Sequence, residues 1–135
     1  ENTEMDIRVK NVNGFLMNWR QNMDEQQKES WMERIRNLAP VIEKAEIEVF
    51  KAEADVKKIL AMLKTKAMGL GHKTTSAQET YAENQDEIYQ ARLSVGVAKG
   101  FLSSAKIQLK ALEVGFEEWR TKMVNAREER KRYGA

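Results

Sequence analysis

Apolar residues recur every three to four positions along most of the chain, which is the spacing of one face of an α-helix. The clearest example starts at Tyr81, from which steps of seven residues reach apolar or aromatic side chains. These positions are Tyr81, Ile88, Val95, Leu102, Leu109, Phe116 and Met123. A second row starts three residues later and holds Asn84, Ala91, Ala98, Ala105, Leu112, Trp119 and Ala126. Together the rows predict a long helix with the seam of a coiled coil.

An upstream segment shows the same alternation of three and four residues. Its members are Trp31, Ile35, Leu38, Ile42, Ala45, Val49, Ala52, Val56, Ile59 and Leu63. This seam predicts a first helical arm over residues 24–68. Pro40 falls on the outer side of the seam, and two arrangements are compatible with it. Either the helix kinks at this residue, or a new helix starts there after a short break.

The two seams are separated by the segment MGLGHKTTS, which contains two glycines and a Thr-Thr-Ser run. This composition predicts a turn over residues 69–76. Ser76 and Glu79 have the spacing of a capping box, so we expect the second arm to start there and to cover residues 77–132. A short connection between long amphipathic helices predicts an antiparallel pair. The expected fold class is therefore all-α, a long antiparallel helical hairpin.

The first 23 residues have a weaker pattern. One face of a helix would collect Val9, Val12, Leu16, Trp19 and Met23. We therefore predict a short N-terminal helix over residues 1–23, packed on the hairpin or on a neighbouring chain. Residues 1–135 are expected to form a single helical domain.

The middle of the second arm carries features that a two-helix hairpin does not use. Gly96 and Gly100 each weaken a helix by about 1 kcal/mol relative to alanine. A second apolar stripe runs along the same helix, and the first arm adds an apolar patch of its own. The candidate interface residues are Leu93, Gly96, Gly100, Ile107, Val114 and Phe50. The N-terminal helix or another subunit would cover this surface, and we favour the second, which predicts a homo-oligomer.

Composition limits the chemistry. The 135 residues include 23 Lys plus Arg, 21 Asp plus Glu, one histidine and no cysteine. Disulfides, cysteine nucleophiles and cysteine metal sites are therefore excluded. The single histidine, His72, falls in the turn and is predicted to be a solvated loop residue. Because no catalytic motif or carboxylate pair stands out, we expect no enzyme activity, no metal and no other cofactor.

No apolar run approaches the roughly 18 residues of a membrane span, so we expect no membrane association. A cytoplasmic location is predicted, which would be the host cytoplasm for a viral protein.

Basic residues form two clusters. The turn cluster comprises Lys57, Lys58, Lys64, Lys66 and Lys73, and the tail cluster comprises Arg127, Arg130, Lys131 and Arg132. Such clusters are candidates for contacts with nucleic-acid phosphates. In the hairpin register, Glu79, Glu83, Asp86 and Glu87 would face the turn cluster and neutralise part of it.

The segment KKILAMLKTKAMGLGHK, followed by YAENQDEIYQARLSVGVAKGFLSSAKIQLKALEVGFEEWRTKM, resembles small all-helical phage recombination mediators of the UvsY type. The similarity lies in the layout of a helical first half, a basic segment, a glycine-bearing turn and a long second helix. It implies a non-enzymatic, ring-forming protein that binds single-stranded DNA and helps to load a recombinase. The family's basic residues near the turn would correspond to Lys57, Lys58, Lys64, Lys66 and Lys73. No aromatic residue flanks the turn, so the resemblance does not extend to base stacking there.

Three functions therefore follow from the sequence. The first is a recombination accessory protein that binds single-stranded DNA and a recombinase. The second is a protein-binding helical adaptor or inhibitor that uses the stripe of Leu93, Ile107 and Val114. The third is a structural coiled-coil component of a larger assembly.

Overall fold

The computed structural model describes the backbone of residues 2–133 and the side chains of residues 18–133. The described residues form three helices and no strand: α1 (Asn2–Gly69), α2 (Thr75–Glu83) and α3 (Asp86–Arg132). The all-α class is therefore confirmed. The chain divides into two compact units, one of residues 1–37 with 111–135 and the other of residues 38–110.

Helix α1 runs without interruption from Asn2 to Gly69 and includes Pro40. The structure thus differs from the prediction of a separate helix over residues 1–23, because this segment is the first part of the same helix. A new helix does not begin at Pro40. The predicted apolar face at the N-terminus involves Val9, Val12 and Leu16, whose side chains lie outside the described residues.

The unit of residues 38–110 pairs α1 with α2 and α3 in antiparallel orientation. Ion pairs join Glu46 to Lys106 at 4.0 Å, Glu53 to Lys99 at 3.2 Å and Lys64 to Glu79 at 3.8 Å. The buried side chains of this unit are Ala45, Leu63, Ala67, Ala82, Ile88, Ala91 and Ala105. Five of these seven residues, Ala45, Leu63, Ile88, Ala91 and Ala105, lie on the predicted seams, so the helix pairing is confirmed within this unit.

In the other unit, two tryptophans join α1 to α3. The indole Nε1 of Trp119 donates a hydrogen bond to the side-chain oxygen of Gln27 at 2.9 Å. A Cβ atom placed on Gly115 would lie 2.8 Å from the ring of Trp31. The third tryptophan, Trp19, is exposed. Among the glycines of residues 18–133, Gly115 is therefore the one with a close neighbour, and the sequence did not distinguish it.

The turn between α1 and α2 ends α1 with a Schellman motif. The His72 N–H donates to the Ala67 carbonyl at 3.0 Å, and the Gly71 N–H donates to the Met68 carbonyl at 3.1 Å. Gly71 has a φ of 99°, which glycine adopts without the steric cost of a Cβ atom. The predicted turn is confirmed and is shorter than expected, since α2 starts at Thr75.

The predicted start of the second arm is wrong in two respects. The N-cap is Thr74, whose side chain accepts a hydrogen bond from the Ala77 N–H, so Ser76 and Glu79 do not form the capping box. The arm is also not continuous from residue 77, because α2 ends at Glu83 and α3 begins at Asp86. The break falls at Asn84, which is polar and exposed although it occupies a seam position. Its side chain therefore makes no buried apolar contact that would favour a continuous helix there.

Candidate interaction surfaces

The turn cluster lies in the unit of residues 38–110, on the end of α1 and in the turn that follows. Lys64 forms an ion pair with Glu79, and it is the one member of the cluster with an ion pair among residues 18–133. The other four members are exposed: Lys57, Lys58, Lys66 and Lys73. Most of this positive charge is therefore presented to solvent.

Cross-hairpin neutralisation is much weaker than the sequence suggested, because Glu83 binds Arg92 instead of a lysine. The Arg92 guanidinium donates two hydrogen bonds to the Glu83 carboxylate, one of them 2.6 Å long between Nη2 and Oε1. These hydrogen bonds lower the pKa of Glu83 below its usual value and raise the pKa of Arg92. The pair also bridges the break between α2 and α3. One sequence feature is consistent with this pair. Arg92 has no acidic neighbour within four residues on α3, so a carboxylate partner must come from outside that stretch of helix.

Apolar and aromatic side chains accompany the lysines at the turn. Met68 and Leu70 are exposed, and they lie between Lys66 and Lys73 in the sequence. The ring of His72 lies 5.4 Å from that of Tyr81, and both residues are half-buried. The fold therefore brings an aromatic pair to a turn that has no flanking aromatic residue in sequence.

The tail cluster belongs to the other unit, where the fold engages half of it. Arg127 pairs with Asp24 at 3.6 Å, and the Arg130 Nε donates a hydrogen bond to the Ala126 carbonyl at 3.3 Å. Lys131 and Arg132 are exposed and have no ion pair in the described part of the chain. The tail thus presents fewer free charges than the turn.

The outer surface of α3 between Ile88 and Lys110 is the most apolar exposed surface of its unit. The exposed fractions are 74% for Val97, 60% for Phe101 and 67% for Ile107, and Leu93 is also exposed. Gly96 and Gly100 lie on the same surface, and a Cβ atom on either would have no neighbour within 4 Å. The contacts described within the chain therefore do not account for these glycines.

Two of the predicted interface residues stand apart from this surface. Phe50, which is 74% exposed, lies on α1. Val114 is also exposed and belongs to the other unit. Of the candidate interface residues, Leu93, Gly96, Gly100 and Ile107 lie on α3 within the unit of residues 38–110, where Val97 and Phe101 are exposed as well.

The two sides of the hairpin in this unit differ in character. On one side, the ion pairs of Glu46 and Glu53 with lysines of α3 span the gap between the helices. The other side is an open groove whose lining includes Ala45, Ala52, Ala91 and Ala98. Phe101 and Val97 also line this groove, so the apolar surface of α3 continues into it.

Within residues 18–133, no three His, Asp or Glu side chains are grouped closely enough to hold a metal ion. Along the described helices, none combines the length and apolar character that a membrane span requires. No protein-family model, curated protein or solved structure matches the chain.

Proposed function

We propose that this chain is a non-enzymatic accessory protein of phage-type recombination that binds single-stranded DNA through the turn cluster and acts with a recombinase. The observation that supports the proposal is that Lys57, Lys58, Lys66 and Lys73 are exposed and have no ion pair among the described residues. The layout shared with UvsY-type mediators adds the recombinase partner.

The unpaired lysines provide the electrostatic part of binding. A lysine that neutralises a DNA phosphate releases a condensed counterion, so each contact strengthens binding at low salt. A lysine already held by a carboxylate loses that interaction when it binds phosphate. Among the described residues, the turn cluster avoids this loss at four of its five members, and the tail cluster avoids it at Arg130, Lys131 and Arg132.

The exposed apolar residues at the turn favour single strands over duplexes. Met68 and Leu70 offer an apolar surface beside Lys66 and Lys73. Bases in a single strand are free to contact such a surface, whereas bases in a duplex are stacked and paired. We therefore expect the same lysines to bind single-stranded DNA more tightly than double-stranded DNA.

The test is fluorescence anisotropy with labelled single-stranded and double-stranded oligonucleotides over a series of salt concentrations. The test variant replaces Lys57, Lys58, Lys66 and Lys73 with glutamine. A matched control replaces four other exposed lysines, Lys28, Lys44, Lys51 and Lys122, so that both variants have the same net charge. For the test variant, the slope of log affinity against log salt should decrease by up to about 3, at about 0.7 per phosphate contact.

Two results would contradict this proposal: no binding of single strands at low salt, or equal losses in the two variants. Salt-insensitive binding to a protein, without binding to DNA, would instead support the adaptor function. The recombinase part is tested separately, by measuring whether the chain speeds assembly of a RecA-class recombinase on single-stranded DNA. If the four-lysine variant accelerates assembly as well as the unmodified chain, the turn cluster has no role in loading.

A further inference from the structure

The central segment of α3 has an unusual charge distribution. Between Ile88 and Leu112 the chain has four basic residues, Arg92, Lys99, Lys106 and Lys110, and no acidic residue. Three of the four form ion pairs: Arg92 pairs with Glu83, Lys99 with Glu53 and Lys106 with Glu46. These three pairs hold the charge of the segment on the side of α3 that faces α1 or α2. The other residues of the outward surface between Tyr89 and Gln108 are uncharged, with Arg92, Lys99 and Lys106 along its edge.

Helix α1 in the same unit shows that this is not a general property of the fold. Between residues 43 and 58, its exposed residues include charged side chains in each turn: Glu43, Lys44, Glu48, Lys51, Asp55, Lys57 and Lys58. Charged residues like those of α1 are typical of a helix surface that contacts only solvent. An uncharged surface with Val97, Phe101 and Ile107 exposed is typical of an interface that excludes water.

We infer that the outward surface of α3 from Tyr89 to Gln108 binds the same surface of a second copy, with the two α3 helices antiparallel. The partner we assign is a copy of this chain because the two ends of the surface carry opposite charges that a second, antiparallel copy can match. This inference does not depend on DNA binding, since the turn cluster lies outside the surface.

Charge complementarity selects the antiparallel orientation. The first turn of α3 is acidic, with Asp86 and Glu87, and the outward surface ends near the unpaired, exposed Lys110. In an antiparallel pair that crosses near Gly96 and Gly100, the acidic end of each helix lies level with Lys110 of the other copy. A parallel pair would place acid against acid and lysine against lysine. Such exposed charges contribute little affinity, but they discriminate between orientations.

The glycines explain how the two helices approach. Gly96 and Gly100 have open space where a side chain would begin, and they are flanked by the exposed Val97 and Phe101. A helix that crosses at the glycines can come close to the α3 backbone, while the flanking side chains pack beside it. The helix propensity lost at each glycine relative to alanine is then offset by contact between copies.

The first experiment measures the molar mass of the full chain by light scattering over a wide range of concentrations. We expect a dimer for the unmodified chain. Gly100→Leu fills the open space without touching another part of the chain, and Val97→Glu places a charge on the surface, so both should shift the chain to monomer. Ala54→Leu and Phe50→Glu are the matched controls on α1, because Phe50 and Val97 are both 74% exposed. Both controls should remain dimeric, and circular dichroism should show equal helix content in all four variants.

The second experiment tests the orientation by cross-linking. The chain has no cysteine, so Leu93→Cys and Ser104→Cys each introduce a single thiol. An antiparallel pair that crosses near the two glycines places position 93 of one copy level with position 104 of the other. Mixing the two variants should therefore yield several times more 93–104 disulfide than 93–93 or 104–104 disulfide.

Each of three results would overturn the inference. The unmodified chain could be monomeric at every concentration, which would leave the surface for another protein. The dimer could survive both Gly100→Leu and Val97→Glu, which would place the interface elsewhere. Finally, the 93–93 and 104–104 disulfides could dominate, which would make the helices parallel.

Discussion

Glu83 shows how one side chain can decide the charge of a surface. The sequence places it opposite the turn cluster, whereas the structure places it on Arg92 with two hydrogen bonds. This arrangement pairs Glu83 with Arg92 and not with a lysine of the turn cluster, and it joins the end of α2 to α3. A residue that was expected to weaken DNA binding is therefore paired within the second arm.

The Glu83–Arg92 pair predicts a pH-dependent contribution to stability. Its hydrogen bonds lower the pKa of Glu83 below the usual value of 4.5. A carboxylate with a lowered pKa stabilises the fold above the pKa of the unfolded chain, and this contribution is lost as the pH falls through the folded-state pKa. Glu83→Gln should therefore have a lower melting temperature than the unmodified chain at pH 7, and the difference should shrink below about pH 4.5.

The control for this prediction is Glu118→Gln, which neutralises an exposed carboxylate that has no ion pair among the described residues. It should shift the melting temperature by the same small amount at both pH values. A Glu83→Gln difference that stays constant from pH 7 to acid would show that the hydrogen bonds with Arg92 do not stabilise the fold.

At the scale of elements, the start of α2 separates a sequence motif from the interaction that forms. The spacing of Ser76 and Glu79 fits a capping box, but the helix starts two residues earlier, with Thr74 as the N-cap. Thr74 satisfies the same rule of a hydroxyl side chain that accepts a hydrogen bond from the N–H three residues later. In a Thr-Thr-Ser run, the local sequence pattern does not indicate which hydroxyl side chain is the N-cap of the helix. The Schellman turn before it fixes the choice.

We expect Thr74→Ala to lower the free energy of unfolding by about 1 kcal/mol, because it removes the N-cap hydrogen bond. Ser76→Ala is the matched control, and it should change the free energy of unfolding by less than about 0.5 kcal/mol. Urea denaturation followed by circular dichroism measures both values. Equal losses of unfolding free energy in the two variants would show that Thr74 and Ser76 both contribute to the N-cap. A larger loss for Ser76→Ala would show that the capping box of Ser76 and Glu79 forms after all.

At the scale of the whole molecule, the two proposals predict a connection between self-association and DNA binding. The turn cluster and the outward surface of α3 belong to the same unit, so a dimer would contain two copies of the turn cluster. Two linked binding sites give a higher overall affinity for a strand that can reach both, without any new contact.

We therefore expect Gly100→Leu to bind an oligonucleotide of about 10 nucleotides as tightly as the unmodified chain, because such a strand engages one cluster. For a strand of about 60 nucleotides, the variant should bind at least about tenfold more weakly. Fluorescence anisotropy with both lengths measures the effect, with Ala54→Leu as the control. An equal loss for both lengths would mean that Gly100→Leu damages the turn cluster itself.

The periodic pattern of apolar residues was sufficient to predict the helical class, the antiparallel pairing and the turn. Alanines at seam positions such as Ala45 and Ala105 are buried, as the spacing predicts. The two glycines predicted the turn, and Gly71 is the one that adopts a φ of 99°, which side chains disfavour. These features depend on interactions between residues that are close in sequence or regularly spaced.

Only the tertiary structure decided which charges and which glycines are engaged. Glu83 pairs with Arg92, Lys64 pairs with Glu79, and Gly115 lies against Trp31. Each contact joins residues that are distant in sequence or that belong to different helices. Charged side chains have several possible partners within reach, so spacing cannot rank them. Among the described residues, four lysines of the turn cluster therefore have no ion pair and the outward surface of α3 is exposed, and the two proposals depend on these outcomes.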